Sequence, residues 1–367
     1  MKIDKKIIFF ATLTFIICFN FIPIAFAKTR QNYIIDFIYE NQNNDETFGF
    51  TYQDTAYALE IIEHYNSYKV EDLFGVKYSV DKTLLEENII DYIQQMFDDN
   101  VVNIYDLYYL LKSLNILADL NEAIEVDLHN TIYNYINQTY QDGGGFSPSN
   151  ISTNVNMAST YFIFKIYHLI DEPIINETTH QNWILACKNT DGGYGGNQTL
   201  SSTLLTTYYA IELIDILGGT LVDALGTINY LDSFYVNDTS NLQNNGGYLP
   251  DSLAERALLS STFICTQSID LINSNYLHKD DTITWVLKLQ NFQDGGFAEN
   301  LGLYAQRKSS IKDTYYAFSI LTTFKALDLL NKDIFMVEFN YVILIIVLSC
   351  VAGIIALIYI IYRRRKI

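Results

Sequence analysis

The chain has 367 residues, 49% of them hydrophobic, with 42 Asp and Glu against 23 Lys and Arg. Its bases cluster at the two ends, so residues 28–338 carry 41 acids and 16 bases, a net charge near −25. This excludes nucleic acid or another polyanion as the main partner, since such binding rests on neutralising phosphates with Lys and Arg, and the abundance of Tyr, Phe, Leu and Ile excludes a disordered acidic tail.

Residues 1–27 have the pattern of an export signal: Lys2, Lys5 and Lys6, the apolar stretch Ile7–Phe21, then Ala25-Phe26-Ala27 as a cleavage site. At the other end Tyr341–Tyr362 is uncharged and mostly apolar, about 33 Å long as a helix, enough to cross a bilayer. Arg363, Arg364, Arg365 and Lys366 follow at once, a cluster that belongs on the cytoplasmic side. The expected order is a signal helix over 1–27, an exported domain over 28–338, a membrane helix over 339–362 and a basic cytoplasmic tail over 363–367. The protein is then expected in the cell membrane as a single-pass chain, its membrane partner engaged through the C-terminal helix. Cys187 and Cys265 are the two cysteines of the exported domain, and they either pair or remain buried thiols.

Between the ends a Gly-rich turn recurs at Asp142-Gly143-Gly144-Gly145-Phe146, Asp191-Gly192-Gly193-Tyr194, Asn245-Gly246-Gly247-Tyr248 and Asp294-Gly295-Gly296-Phe297. Two glycines after Asn or Asp supply the positive φ angles of a tight turn, and the aromatic ring can pack back onto flanking helices. The helix after each turn starts at Asp54-Thr55-Ala56-Tyr57, Asp106-Leu107-Tyr108-Tyr109, Ser159-Thr160-Tyr161-Phe162, Thr206-Thr207-Tyr208-Tyr209, Ser261-Thr262-Phe263-Ile264 and Asp313-Thr314-Tyr315-Tyr316. All six first positions are Asp, Ser or Thr, expected as helix N-caps. The steps of about fifty residues predict six helix pairs over 31–330, with Phe48-Gly49-Phe50 as a remnant turn in the first pair and no turn in the second. Second helices are apolar nearly all round. First helices are amphipathic, as where Ile89, Ile90, Tyr92 and Ile93 alternate with Glu86, Glu87, Asp91 and Gln94. Buried inner helices ringed by amphipathic outer ones fit a closed α/α barrel, although periodicity alone also permits an open solenoid.

Helix pairs joined by Q-x-x-DGG-aromatic turns resemble the α/α toroid of prenyltransferase β subunits and squalene-hopene (terpenoid) cyclases. The resemblance is carried by Gln290-Asn291-Phe292-Gln293-Asp294-Gly295-Gly296-Phe297, by Gln141-Asp142-Gly143-Gly144-Gly145-Phe146, and by the D-T-x-Y-A strings at Asp54–Ala58 and Asp313–Ala317. It implies an all-α, six-fold toroid of about twelve helices whose inner helices line a largely aromatic cavity that binds isoprenoid chains. The aromatic column Tyr57, Tyr109, Phe162, Tyr209 and Tyr316 is the candidate ligand wall, with core packing as its alternative.

The family's chemistry transfers poorly. Its catalytic zinc positions fall on Ser261, Phe263 and Asp313, a set that cannot ligate zinc. The D-x-D-D and D-C-T-A-E acids of cyclases do not occur, and the five histidines share no repeat-equivalent position. No cofactor is therefore expected, although calcium is a candidate at carboxylates ringing one mouth. Those carboxylates, Asp54, Asp106 and Asp313, are the weak catalytic candidates, with Asp54 and Asp313 expected to be neighbours across the ring closure. The leading expectation is a membrane-anchored, extracellular binding toroid for an apolar, carbohydrate or protein ligand, leaning away from an enzyme. The alternative is an isoprenoid transferase or cyclase-like enzyme, or a polysaccharide-acting one.

Overall fold

The computed structural model describes residues 28–72, 75–302 and 308–334. The signal-like segment 1–27 and the apolar stretch Tyr341–Tyr362 lie outside the described residues. Among the described residues, no helix is long and apolar enough to cross a membrane. The chain divides into two compact units, one spanning 33–327 and one built from the residues on either side of it. In the second unit Lys28–Thr29 (β1) pairs antiparallel with Asp333–Ile334 (β6), Lys28 opposite Ile334.

Among the described residues, the first unit carries twelve helices in alternation, plus a single turn of helix at Leu120–Ala123 between the second pair and the third. The outer ones are α1 (Arg30–Glu40, entering this unit at Tyr33), α3 (Lys82–Asp98), α5 (Val126–Gln138), α7 (Glu177–Ala186), α9 (Ala224–Asp232) and α11 (Lys279–Lys288). The inner ones are α2 (Tyr52–His64), α4 (Ile104–Leu117), α6 (Met157–Leu169), α8 (Leu204–Ile216), α10 (Leu259–Asn273) and α12 (Ile311–Thr323). Each inner helix packs on the next, and α12 packs back on α2, which closes the ring and excludes the open solenoid. The outer helices show one-sided burial, as in α3, where Leu85, Ile89 and Ile93 are fully buried. A hairpin not foreseen in the sequence, β2 (Lys69–Asp72) with β3 (Gly75–Ser79), joins α2 to α3.

The turns hold the layers together by two devices. The turn aromatics Phe48, Phe146, Tyr194, Tyr248 and Phe297 are all buried. Each donates its backbone N–H to a threonine hydroxyl on the following inner helix, at 2.9–3.0 Å: Thr55, Thr160, Thr207, Thr262 and Thr314 respectively. A buried N–H must find a partner, so the threonine that recurs in five helix starts belongs to the turn. The second pair has Leu107 at that position and no turn, losing donor and acceptor together. The second device is close approach. Gly192 (φ +96°) and Gly295 (φ +94°) lie against the carbonyls of Gly226 on α9 and Tyr33 on α1, where any Cβ would overlap the oxygen. The Gly295 contact ties the last pair to the first.

The helix starts need correction. The N-caps are Thr51, Asn103, Asn156, Thr203, Leu258 and Ser310, three residues before the positions predicted to cap. Asp54 and Thr206 are instead the reciprocal partners of capping boxes with Thr51 and Thr203. Both ends of a capping box use the same residue types, so composition alone placed the cap one turn late. Cys187 and Cys265 are unpaired and buried, and burial pushes the Cys187 thiol up to about 12.

Candidate functional site

The six inner helices enclose a cavity of about 430 Å³, and eleven of its twenty lining residues are aromatic. All five residues of the predicted column, Tyr57, Tyr109, Phe162, Tyr209 and Tyr316, line it. They occupy the fourth position of the repeated helix start, and the third position supplies Tyr108, Tyr161, Tyr208, Phe263 and Tyr315.

The rings interlock by one rule. A third-position ring meets the fourth-position ring of the next pair: Tyr161 stacks on Tyr209 (4.3 Å), Phe263 on Tyr316 (4.4 Å) and Tyr315 on Tyr57 (3.8 Å), and Tyr108 tilts onto Phe162 (5.5 Å). The two interfaces that lack such a pair are those where Ala56 and Ile264 stand in place of a ring. Each pair is worth about 0.5–1.5 kcal/mol beyond its buried area. The result is a collar, with the Tyr315–Tyr57 stack bridging the closure. Gln53 donates to both Tyr57 Oη (3.0 Å) and Tyr109 Oη (2.7 Å). Burial holds the phenols of Tyr57, Tyr109, Tyr161 and Tyr208 well above the ordinary tyrosine value, so they are neutral hydrogen-bonding groups.

One helical turn beyond the collar runs a polar belt that sequence inspection missed. Three residues after each fourth position stand Glu60, Lys112, Lys165, Glu212, Gln267 and Ser319. Lys112 pairs with Glu60 at 2.7 Å and Lys165 with Glu212 at 2.6 Å. Lys112 also lies 5.4 Å from the Tyr57 ring centre and Lys165 the same distance from that of Tyr161. Burial alone would lower the Lys112 ammonium, but the oxygens of Tyr315, Tyr108 and Glu60 outweigh it and hold its pKa up. The belt therefore carries two cations and two anions, each already paired.

The candidate carboxylates do not form one cluster. Asp54 is bonded within its own turn, accepting from Phe50 N, Thr51 N and Thr51 Oγ1. Asp106 accepts from Asn103 Nδ2 at 2.9 Å and faces a separate pocket. Asp313 accepts from Ser310 Oγ at 2.7 Å, and its second oxygen is buried without a partner of its own apart from the neighbouring carboxyl of Glu299. Asp54 and Asp313 are thus engaged separately, each by its own helix start. Glu299, which no repeat position signals, directly follows the first strand of the pair after the last turn (Phe297–Ala298 with Ser309–Ser310, β4 and β5). It accepts from Ser260 N and Oγ, and its backbone oxygen accepts from Leu259 N, so it caps α10 in place of Leu258.

Burial, then hydrogen bonding and repulsion from Asp313, push Glu299 up to about 8. A proton held on Glu299 gives the facing oxygens Glu299 Oε2 and Asp313 Oδ1, otherwise unpartnered, a hydrogen bond to each other. The folded state keeps that proton to about pH 8, whereas an unfolded glutamate releases it near 4.5. Its contribution to stability is fully present below pH 4.5 and is lost as the pH rises toward 8. Glu299→Gln is expected to flatten the fall in unfolding free energy between pH 5 and 8, measured by urea denaturation. An unchanged slope would place the titration elsewhere.

Phe263 is committed to its stack with Tyr316, Ser261 is a buried hydroxyl, and Asp313 is turned to Glu299. Among the described residues no three His, Cys, Asp or Glu side chains gather as metal ligands would. His180 is structural: it accepts from Gly145 N at 2.9 Å and stacks on Phe146 at 4.7 Å, and burial lowers it to about 4.

Comparison with known proteins agrees with this architecture. No curated protein matches the chain. Among solved structures, protein geranylgeranyltransferase-I from Candida albicans, complexed with GGPP, superposes with a TM-score of 0.55 at 19% identity, covering 82% of this chain and 86% of that one. The type II terpene cyclase MstE from Scytonema gives 0.49 at 10% identity, covering 82% and 97%. The sequence matches the prenyltransferase alpha-alpha toroid domain three times in overlapping register, over 84–176, 153–252 and 241–339. With most of its length covered by those matches and its inner helices closed into one ring, the chain belongs to the prenyltransferase alpha-alpha toroid family.

Proposed function

We propose that the toroid is a binding module for a neutral amphipathic lipid of the isoprenoid class, displayed outside the membrane by the C-terminal apolar stretch. The observation that carries this reading is the layering of the cavity: an aromatic collar followed, one turn on, by a belt whose charges are already paired. An unsaturated chain packs on ring faces, and a hydroxyl or carbonyl end finds donors and acceptors in the belt. A diphosphate would need a cluster of unpaired cations; Lys112 and Lys165 are committed to glutamates, which leaves Lys312 alone among the lining residues to meet one.

Equilibrium binding to the detergent-solubilised full chain, read by tyrosine fluorescence, tests this. Geranylgeraniol is expected to bind, and Tyr161→Ala with Tyr209→Ala to weaken it at least tenfold. Tighter, zinc-dependent binding of geranylgeranyl diphosphate would restore the transferase reading. A second reading rests on the proton held by Glu299 against Asp313, which an acid-dependent enzyme could use. Turnover of a polyprenyl substrate, lost in Asp313→Asn while ligand binding persists, would establish it.

A further inference from the structure

The missing turn of the second pair opens a site. In the third and fifth pairs the chain following the next pair's turn lies over the start of the inner helix: Met157 N donates to Gly196 O and Leu259 N to Glu299 O, both at 2.8 Å. Among the described residues the first pair shows no such bond, and its neighbour links α3 to α4 through 99–103 alone. Phe50, at the uncovered start of α2, is 99% exposed. Beneath it lies a pocket of about 440 Å³, separate from the central cavity in its lining.

Four aromatic residues line the pocket: the buried Phe48, Phe50 at the rim, and Tyr52 and Tyr92, whose rings meet at 5.6 Å. Its charged groups are Asp45 and Asp106, and no Lys or Arg lines it. Asp45 is fixed by Thr47 (2.6 Å to Oδ1) and by Tyr92 Oη (2.6 Å to Oδ2). Desolvation raises Asp106, and burial first, then the charges of Asp106 and Asp45, raise the Tyr52 phenol that lines the pocket with them. An anionic ligand is excluded. Ring faces beside uncompensated carboxylates are the arrangement that attracts a compact organic cation.

We propose that this pocket binds an organic ammonium ion, a quaternary ammonium or protonated amine, seated among Phe50, Tyr52 and Tyr92 with Asp45 and Asp106 as counterions. The site exists because the second pair lost its turn, and it is independent of the ligand of the central cavity.

Choline and tetramethylammonium, titrated against the full chain in detergent with ligand-observed NMR as readout, test it. Saturable binding is expected at millimolar concentration or below. Asp106→Asn should weaken it about tenfold and Phe50→Ala, at a fully exposed position, at least fivefold, while Tyr161→Ala in the central cavity leaves it unchanged. Binding insensitive to both pocket variants would overturn the assignment. So would failure of both ammonium probes to bind, or a pocket that takes calcium or methyl glucoside in preference to them.

Discussion

Gly295→Ala is expected to destabilise the toroid by roughly 2–5 kcal/mol. Two costs combine: an alanine held at φ +94° is strained by about 1–3 kcal/mol, and its Cβ overlaps the Tyr33 carbonyl, so α1 must shift at a similar cost. Because Tyr33 belongs to the first pair and Gly295 to the last, the displacement falls on the ring closure. Gly143→Ala is the control, since its φ is not positive and no atom lies within 4 Å of an added Cβ. It should stay within about 0.5 kcal/mol of wild type. Urea denaturation of the two variants side by side checks this, and equal midpoints would show that the turn glycines are not held against the neighbouring helix.

Glu212→Leu is expected to cost roughly 3–5 kcal/mol, because it leaves the Lys165 ammonium inside the ring without its partner. The double variant Lys165→Met with Glu212→Leu should recover most of that loss, since two well-packed apolar side chains need no countercharge. The side chains of Lys165 and Glu212 are 25% and 17% exposed, against 59% and 61% for the Lys69–Glu71 pair of the hairpin. Lys69→Ala should accordingly change stability by less than about 1 kcal/mol. A double-mutant cycle at 165 and 212 measures the coupling. A coupling no larger than that of the hairpin pair would show that the belt is fully hydrated. The same double variant also bears on function, because an all-apolar belt should keep the chain of a lipid while losing preference for its polar end.

Most of the architecture was legible in the sequence because the repeat is written in side chains that recur in five of the six pairs. The turn aromatics, the threonines and the fourth-position rings recur at fixed offsets, and the structure assembles them at equivalent places. Where legibility failed, the cause is specific. The caps were displaced by one turn because Thr51 and Asp54 exchange bonds and look alike as capping residues. The belt was overlooked although its signal was present: Glu60, Lys112, Lys165 and Glu212 are charges inside otherwise apolar helices, at one offset from the aromatic column. Glu299 had no such signal, since it lies just past the β4 strand that only the last turn carries and meets Asp313 only through the packing of α10 beside α12. The pocket beside Phe50 was foreshadowed by the absent second turn, but an absence in the sequence does not say what surface it uncovers.

The short pairing of Lys28–Thr29 with Asp333–Ile334 has a topological consequence. The ends of the described chain lie side by side, so a short linker from 334 back to 28 could make the backbone continuous and new termini could be cut elsewhere. The stretch 99–103 is the natural place, being a brief connection that carries no glycine turn. A ring of this kind has no obligatory first unit, because every inner helix packs on two neighbours and the collar is the same wherever the chain enters it.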